Sequence, residues 1–251
     1  MAELRTFEDL DGLARGAAEE IAKSAEEAIA ARGRFTIAVS GGNTPKPTYR
    51  LLGQEPWLSR IDWDRVDVFW GDDRYVEPTH PESNFRMVMD TMLSRLPIPF
   101  ANVYRMRTEM PAAERVASDY ERTLRDDFDL EGAELPRFDL VLMGLGADGH
   151  TASLFPGSEA VHERRRLVVA PWVKQLSAWR ITLTPPVFNN AALALFLVSG
   201  EEKAEALKAV LEGDFEPDRV PAQIVRPEDG RLVWLVDRAA ARCLSNVDRS
   251  V

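Results

Sequence analysis

Residues 138–158 read FDLVLMGLGADGHTASLFPGS, an apolar run followed by three glycines spaced around Asp148 and His150. FDLVLM is apolar on both faces, as a strand inside a parallel sheet must be, and the ends of such strands are where α/β sheets place their ligands. Working outward, further β-rich runs fall at 35–40 (FTIAVS), 66–70 (VDVFW), 179–183 (WRITL), 192–198 (ALALFLV) and 231–236 (RLVWLV), with weaker candidates at 102–106 and 167–170. Helical patterns lie between them. Leu10, Leu13, Ala14, Ala17, Ile21, Ala25 and Ile29 recur at three- and four-residue steps in a helix ending near Gly33; others follow at 45–52, at 84–93 behind a Ser83 cap, at 112–124 and at 201–211. This alternation predicts an α/β fold: a single doubly wound domain over 1–251, with a mostly parallel sheet covered by helices on both faces. No Ser/Gly-rich linker, charge run or internal repeat divides the chain.

Composition narrows the function. With 251 residues, 45% hydrophobic and 29% charged, the chain reads as an enzyme-sized globular protein. A net charge of -10 argues against nucleic acid or an anionic membrane as partner, so an anionic substrate would need a local cluster of donors and cations. The one cysteine, Cys243, excludes an internal disulfide and any cysteine-built metal site. The acidic opening MAELRTFEDLDGL lacks the features of a signal peptide, and no run of ~18 apolar residues follows, so a cytoplasmic protein is expected, as a monomer or a homodimer. No His, Cys, Asp and Glu cluster has metal-ligand spacing, and no metal or other cofactor is expected.

Three loops at predicted strand ends carry the chemistry. In Ser40-Gly41-Gly42-Asn43-Thr44-Pro45, two glycines let backbone approach a ligand, and the Ser40 and Thr44 hydroxyls add donors for a phosphate. It is neither a Walker loop nor a dinucleotide turn, which weighs against nucleotide cofactors. In Gly71-Asp72-Asp73-Arg74, Arg74 can fork onto a phosphate or carboxylate, with one acid to orient a catalytic base and the other to hold the arginine. In the third loop, His150 near Asp148 is equipped to activate a water. Arg180 and Lys174 are candidate phosphate cations, whereas His80 and His162 read as surface residues and the six tryptophans as packing.

With these loops in view, the chain resembles the 6-phosphogluconolactonase family. The similarity runs through SGGNTPKPTY, WGDDRYV, the ESN at Glu82 to Asn84, FDLVLMGLGADGHTASLFPGS, RITLTPPVFNNA and WLVDRAAA, over about 35–241. The resemblance implies cofactor-free hydrolysis of 6-phosphoglucono-δ-lactone in the oxidative pentose phosphate pathway. It matches the catalytic histidine to His150, the aspartate and arginine to Asp72 and Arg74, and the phosphate-handling positions to Ser40, Gly41, Gly42 and Thr44, with Arg180 as cationic partner. The family usually has glutamate where this chain has Asp73. The implied mechanism has His150 deprotonate water, Arg74 or backbone N–H groups stabilise the oxyanion, and the imidazolium protonate the ring oxygen. No G-x-S-x-G elbow is present, so Ser153 is a poor nucleophile.

Two rivals remain. The related glucosamine-6-phosphate isomerase/deaminases carry I-A-F-N-E-P after D-G-H, with an acid/base glutamate; here the run is Thr151-Ala152-Ser153-Leu154-Phe155-Pro156, and leucine and phenylalanine cannot move protons. A sugar-phosphate sensor would need the cradle but not His150, and the DNA-binding segment of a regulator is missing.

Overall fold

The computed structural model describes residues 2–245. In chain order the elements are β1 (Glu3–Phe7), α1 (Leu10–Arg32), β2 (Phe35–Val39), α2 (Lys46–Leu52), α3 (Trp57–Arg60), β3 (Val66–Trp70), β4 (Asp72–Arg74), α4 (Asn84–Thr91), β5 (Val103–Tyr104), α5 (Ala113–Asp127), β6 (Leu140–Gly144), β7 (Val168–Val169), β8 (Trp172–Val173), β9 (Ala178–Leu183), α6 (Pro185–Asn189), β10 (Leu193–Val198), α7 (Ala204–Glu212), β11 (Arg231–Asp237) and α8 (Arg238–Ala241).

A seven-stranded sheet runs β1-β11-β10-β6-β2-β3-β5, and every neighbouring pair in it is parallel. From β2 the chain winds outward through β3 to β5; from β6 it winds the other way through β10 to β11. The order therefore reverses between β2 and β6, and their carboxyl ends diverge into a crevice, the usual ligand position in such sheets. Burial follows the pattern. All of β2 and β10, and the first four residues of β6, are buried, because helices cover both faces. Helix α1 is capped by Asp9, whose carboxylate accepts from the Gly12 N–H, and it ends at Gly33 in the left-handed region. Its buried stripe is rich in alanine (Ala14, Ala17, Ala18, Ala22, Ala25), side chains small enough for the helix to sit close on its neighbours.

Three elements differ from the sequence expectation. Strand β1 was not predicted: its residues are exposed or half-buried and show no alternation, and its partner β11 lies at the other end of the chain. Residues 179–183 do form a strand, β9, but it lies outside the parallel sheet, in a small antiparallel sheet ordered β4-β9-β7, with β8 also paired to β9. Fewer than a dozen residues separate β7 from β9, too few for a parallel crossover, and Ser177 at φ +46 turns the chain back. The third difference is the second loop, where Asp72–Arg74 pairs with β9 as β4, in the register Asp72 to Thr182 and Arg74 to Arg180.

Candidate active site

A cleft of about 270 Å³ opens at the β2/β6 crevice. One side is built by loops that leave the parallel strands: 40–45 after β2, 144–150 after β6, and 199–203 after β10. The other side is the antiparallel strip carrying Asp72 and Arg74, with Asn84 at the start of α4.

The histidine is fixed by its own loop. Gly146 N–H donates to the His150 carbonyl at 2.8 Å and Gly149 N–H to the Gly146 carbonyl at 3.0 Å, with Gly149 at φ +82. This fold-back sets His150 Nδ1 2.5 Å from Asp148 Oδ1. A Cβ on Gly146 would stand 2.0 Å from that same Nδ1, so only glycine allows the pair to form. Burial works against ionisation of Asp148, but the hydrogen bonds and charge of His150 prevail and hold its carboxyl below the usual range. An ionised Asp148 accepts from Nδ1–H and leaves Nε2 as the basic nitrogen. The ring stacks on Phe155, with centroids 4.3 Å apart.

The two acids of the second loop do other work than expected. Asp72 neither touches His150 nor holds Arg74. It is buried, accepts a hydrogen bond from the Ser153 hydroxyl at 2.6 Å, and its backbone carbonyl accepts from Asn84 Nδ2 at 2.9 Å. Asp73 accepts from the N–H groups of Arg74 and Asn84, each at 2.7 Å, and of Phe85 at 3.1 Å. It fastens the start of α4 instead of lining the cleft. Burial pushes its carboxyl up to about 6, against the pull of those three N–H donors. The guanidinium of Arg74 is held by the Glu82 carbonyl, to which Nη1 donates at 2.6 Å.

The glycine loop also departs from its simplest reading. Gly41 is required by a neighbouring side chain: a Cβ there would lie 1.8 Å from Asn84 Oδ1. Gly42, at φ +93, faces open space. Tyr49 clamps Ser40 through both its N–H and its carbonyl, so the Ser40 hydroxyl, not its amide, remains for a ligand.

The chain was compared with proteins of known family. Residues 8–234 match the family model described as glucosamine-6-phosphate isomerases/6-phosphogluconolactonase. The chain belongs to this family. Relatives in the glucosamine-6-phosphate isomerase/6-phosphogluconolactonase family include the 6-phosphogluconolactonase of Synechocystis sp., 42% identical over 87% of this chain and 88% of that one, and that of Nostoc sp., 40% identical over 88% and 89%. The solved 6-phosphogluconolactonase from Trypanosoma cruzi superimposes with a TM-score of 0.87 at 29% identity, covering 98% of each chain. A monomeric glucosamine-6-phosphate deaminase of the same fold gives 0.81 at 21% identity, with 96% of this chain and 99% of that chain covered, a likeness of fold alone.

Set on this family fold, the sequence-predicted residues Ser40, Gly41, Gly42, Thr44, Asp72, Arg74 and His150 all line one cleft. Arg180 sits opposite Arg74 in the β4/β9 pairing, half-buried, with Nη1 donating to the Trp179 carbonyl at 3.1 Å. Burial and the adjacent Arg74 lower its pKa, and it lies beside Arg74 on the same face of the strip. Lys174 is elsewhere: with Trp172 and Trp179 it lines a separate concavity of about 570 Å³. His80 accepts from the Glu82 N–H, and exposed His162 pairs with Asp218. Several cleft residues escaped the site reading, Asn84, Glu202 and Lys203 among them. Asn84 was read as a helix start and an ESN match, and its second task, bonding the Asp72 carbonyl while packing against Gly41, needs the tertiary fold. Lys203, half-buried and with no ion pair among the described residues, sits in the turn after β10. Its signal was available, because 192–198 is a parallel strand next to β6 and the turn at its end faces the same crevice.

Proposed function

We propose that the chain hydrolyses 6-phosphoglucono-δ-lactone to 6-phosphogluconate, with His150 activating a water and no covalent intermediate. The observation that carries this reading is the Asp148–His150 pair, 2.5 Å apart, at the mouth of a cleft that also presents Arg74 and Lys203. Nε2 takes a proton from water, and the hydroxide adds to the lactone carbonyl. The Arg74 guanidinium stabilises the tetrahedral oxyanion, and the imidazolium, steadied by Asp148, returns the proton to the departing ring oxygen. Asp72 acts by holding Ser153 and Asn84, and with them the loops on either side of the carbonyl. The phosphate rests between the Ser40–Thr44 loop and Lys203, with Arg180 adding positive charge beside Arg74.

A serine nucleophile is disfavoured because the Ser153 hydroxyl is buried and donates to Asp72. Isomerase or deaminase chemistry is disfavoured because Phe155, not a carboxylate, stacks on His150. The reading places a cofactor-free reaction in the cytoplasm, on the oxidative pentose phosphate pathway, by a single domain spanning 1–251 that acts as a monomer or homodimer and engages neither nucleic acid nor membrane. Among the described residues no helix is long and apolar enough to cross a membrane. The test is proton release from freshly prepared 6-phosphogluconolactone, corrected for spontaneous hydrolysis. Saturable, enzyme-dependent release is expected; background rates, or ammonia released from glucosamine 6-phosphate, would overturn the reading.

A further inference from the structure

The lysine that lines the cleft, Lys203, is held in place from β11. Strands β10 and β11 run parallel with Val198 beside Val236, so Ser199 and Asp237 emerge together at their carboxyl ends. Asp237 is buried, yet its two carboxylate oxygens accept three kinds of donor: the Ser199 hydroxyl, the Gly200 N–H at 3.1 and 3.2 Å, and the Ala240 N–H at 2.7 Å. Gly200 stands at φ +103, a conformation that only glycine adopts readily, and its carbonyl accepts from the Lys203 N–H at 3.1 Å. A continuous path of hydrogen bonds therefore joins the Asp237 carboxylate to the backbone of Lys203. A second tie runs beside it, since Arg242, just past α8, pairs with Glu201 in the same turn.

We propose that Asp237 is a positioning residue for recognition of the substrate's phosphate: by fixing the Ser199–Gly200 turn it aims the Lys203 ammonium into the cleft. A capping role alone would need only the bond to Ala240. The bonds to Ser199 and Gly200 point away from α8 and into the turn that carries the cleft cation. Asp237 touches no substrate and acts entirely through Lys203. An ammonium on a flexible stem makes a strong charge-assisted contact only when its backbone is held, because otherwise the ordering cost falls on the binding step. The inference rests on the lactonase reading for its substrate, but its central measurement does not depend on turnover.

The test uses the full chain with Asp237→Ser, Ser199→Ala, Lys203→Ala and the Asp237→Ser/Lys203→Ala double variant. Serine keeps a cap for α8 but cannot also reach Ser199 and Gly200. Affinity for 6-phosphogluconate is measured by calorimetry, and KM and kcat are measured on phosphorylated and unphosphorylated gluconolactone. Asp237→Ser is expected to weaken 6-phosphogluconate binding and raise KM for the phosphorylated lactone roughly 10-fold, with kcat and the unphosphorylated reaction within about 3-fold of wild type. In the Lys203→Ala background the same change should have almost no further effect. Ser199→Ala, which leaves Asp237 in place, should show the same pattern at smaller size and carries the test if Asp237→Ser does not fold. Equal losses on both lactones, or losses that add fully to those of Lys203→Ala, would overturn the proposal. A wild type that binds 6-phosphogluconate without hydrolysing the lactone would sink the lactonase reading while the affinity series still decides this one. A wild type that does neither overturns both.

Discussion

The two walls of the cleft are built on different principles. The wall carrying His150 and Lys203 is made of loops at the carboxyl ends of parallel strands, where the backbone turns freely and glycines set side-chain placement. The wall carrying Asp72 and Arg74 is a strip of antiparallel sheet, where register sets placement and buried carboxylates hold neighbouring segments. Changes in the first should act on catalysis or on the grip on the phosphate while the fold survives. Changes at the buried carboxylates of the second should act on stability.

The largest effect is expected at His150. His150→Ala should lower kcat by roughly 10²–10⁴, the range for loss of a positioned general base, with an unchanged melting temperature. Steady-state kinetics with a parallel thermal melt decide this, and near-wild-type turnover in a folded variant would remove the histidine from the mechanism.

On the opposite wall, Asp73 should make stability depend on pH. Its folded carboxyl titrates at about 6, above the ~3.9 of an unfolded chain, so between these values the native state keeps a proton that the unfolded state has lost. Stability from this group is therefore greatest below pH 4 and declines as pH rises through 6, by about 3 kcal/mol. Urea unfolding of wild type and Asp73→Asn across pH 4–7 is expected to show the wild type losing ground to the variant as pH rises. Parallel curves would mean that the three N–H donors outweigh burial.

Gly146→Ala tests the glycine-built wall. The added methyl would lie 2.0 Å from His150 Nδ1, so the ring must move, and a displacement of about 1 Å is enough for a loss on the order of 10²-fold in kcat. Global stability should fall little because the added methyl meets the side chains of His150 and Asp148 and not buried backbone. If kcat survives, the Asp148–His150 pair is not the geometry that reacts.

The same contrast explains what could be read from the sequence. Strands apolar on both faces announce a parallel sheet, and the loops at their ends announce a site, so 35–40, 138–143 and the SGGNTP and GLGADGH loops were legible as fold and as chemistry together. Strand β9 was legible as a strand but not as a member of a second sheet, since a run such as WRITL carries no mark of its partner. Strand β1 was invisible because an exposed edge strand needs no apolar alternation. The roles of Asp72 and Asp73 were misassigned for a related reason: adjacent residues in a strand point to opposite sides, so one carboxylate meets Ser153 and the other the start of α4, and neither partner is near in sequence. Lys203 was missed although the rule that places sites at strand ends applied equally to the turn after β10.

The finest prediction sets the two walls' cations against each other. Lys203 lines the cleft with no ion pair among the described residues, whereas Arg180 lies beside Arg74, its guanidinium partly committed to the Trp179 carbonyl and crowded by a like charge. Losing a charge-assisted hydrogen bond costs roughly 1.5–3 kcal/mol, so Lys203→Ala should lower kcat/KM for the phosphorylated lactone by ~10- to 150-fold. Arg180→Ala removes a positive charge that burial and Arg74 already disfavour and relieves its repulsion with Arg74, so its effect should be less than about 10-fold and should weaken further with added salt. Both variants should leave hydrolysis of the unphosphorylated lactone nearly unchanged. A larger loss from Arg180 than from Lys203 would reverse the assignment and make the antiparallel wall the phosphate-binding side, and an equal loss on both lactones would give Arg180 a structural task in the β4/β9 pairing.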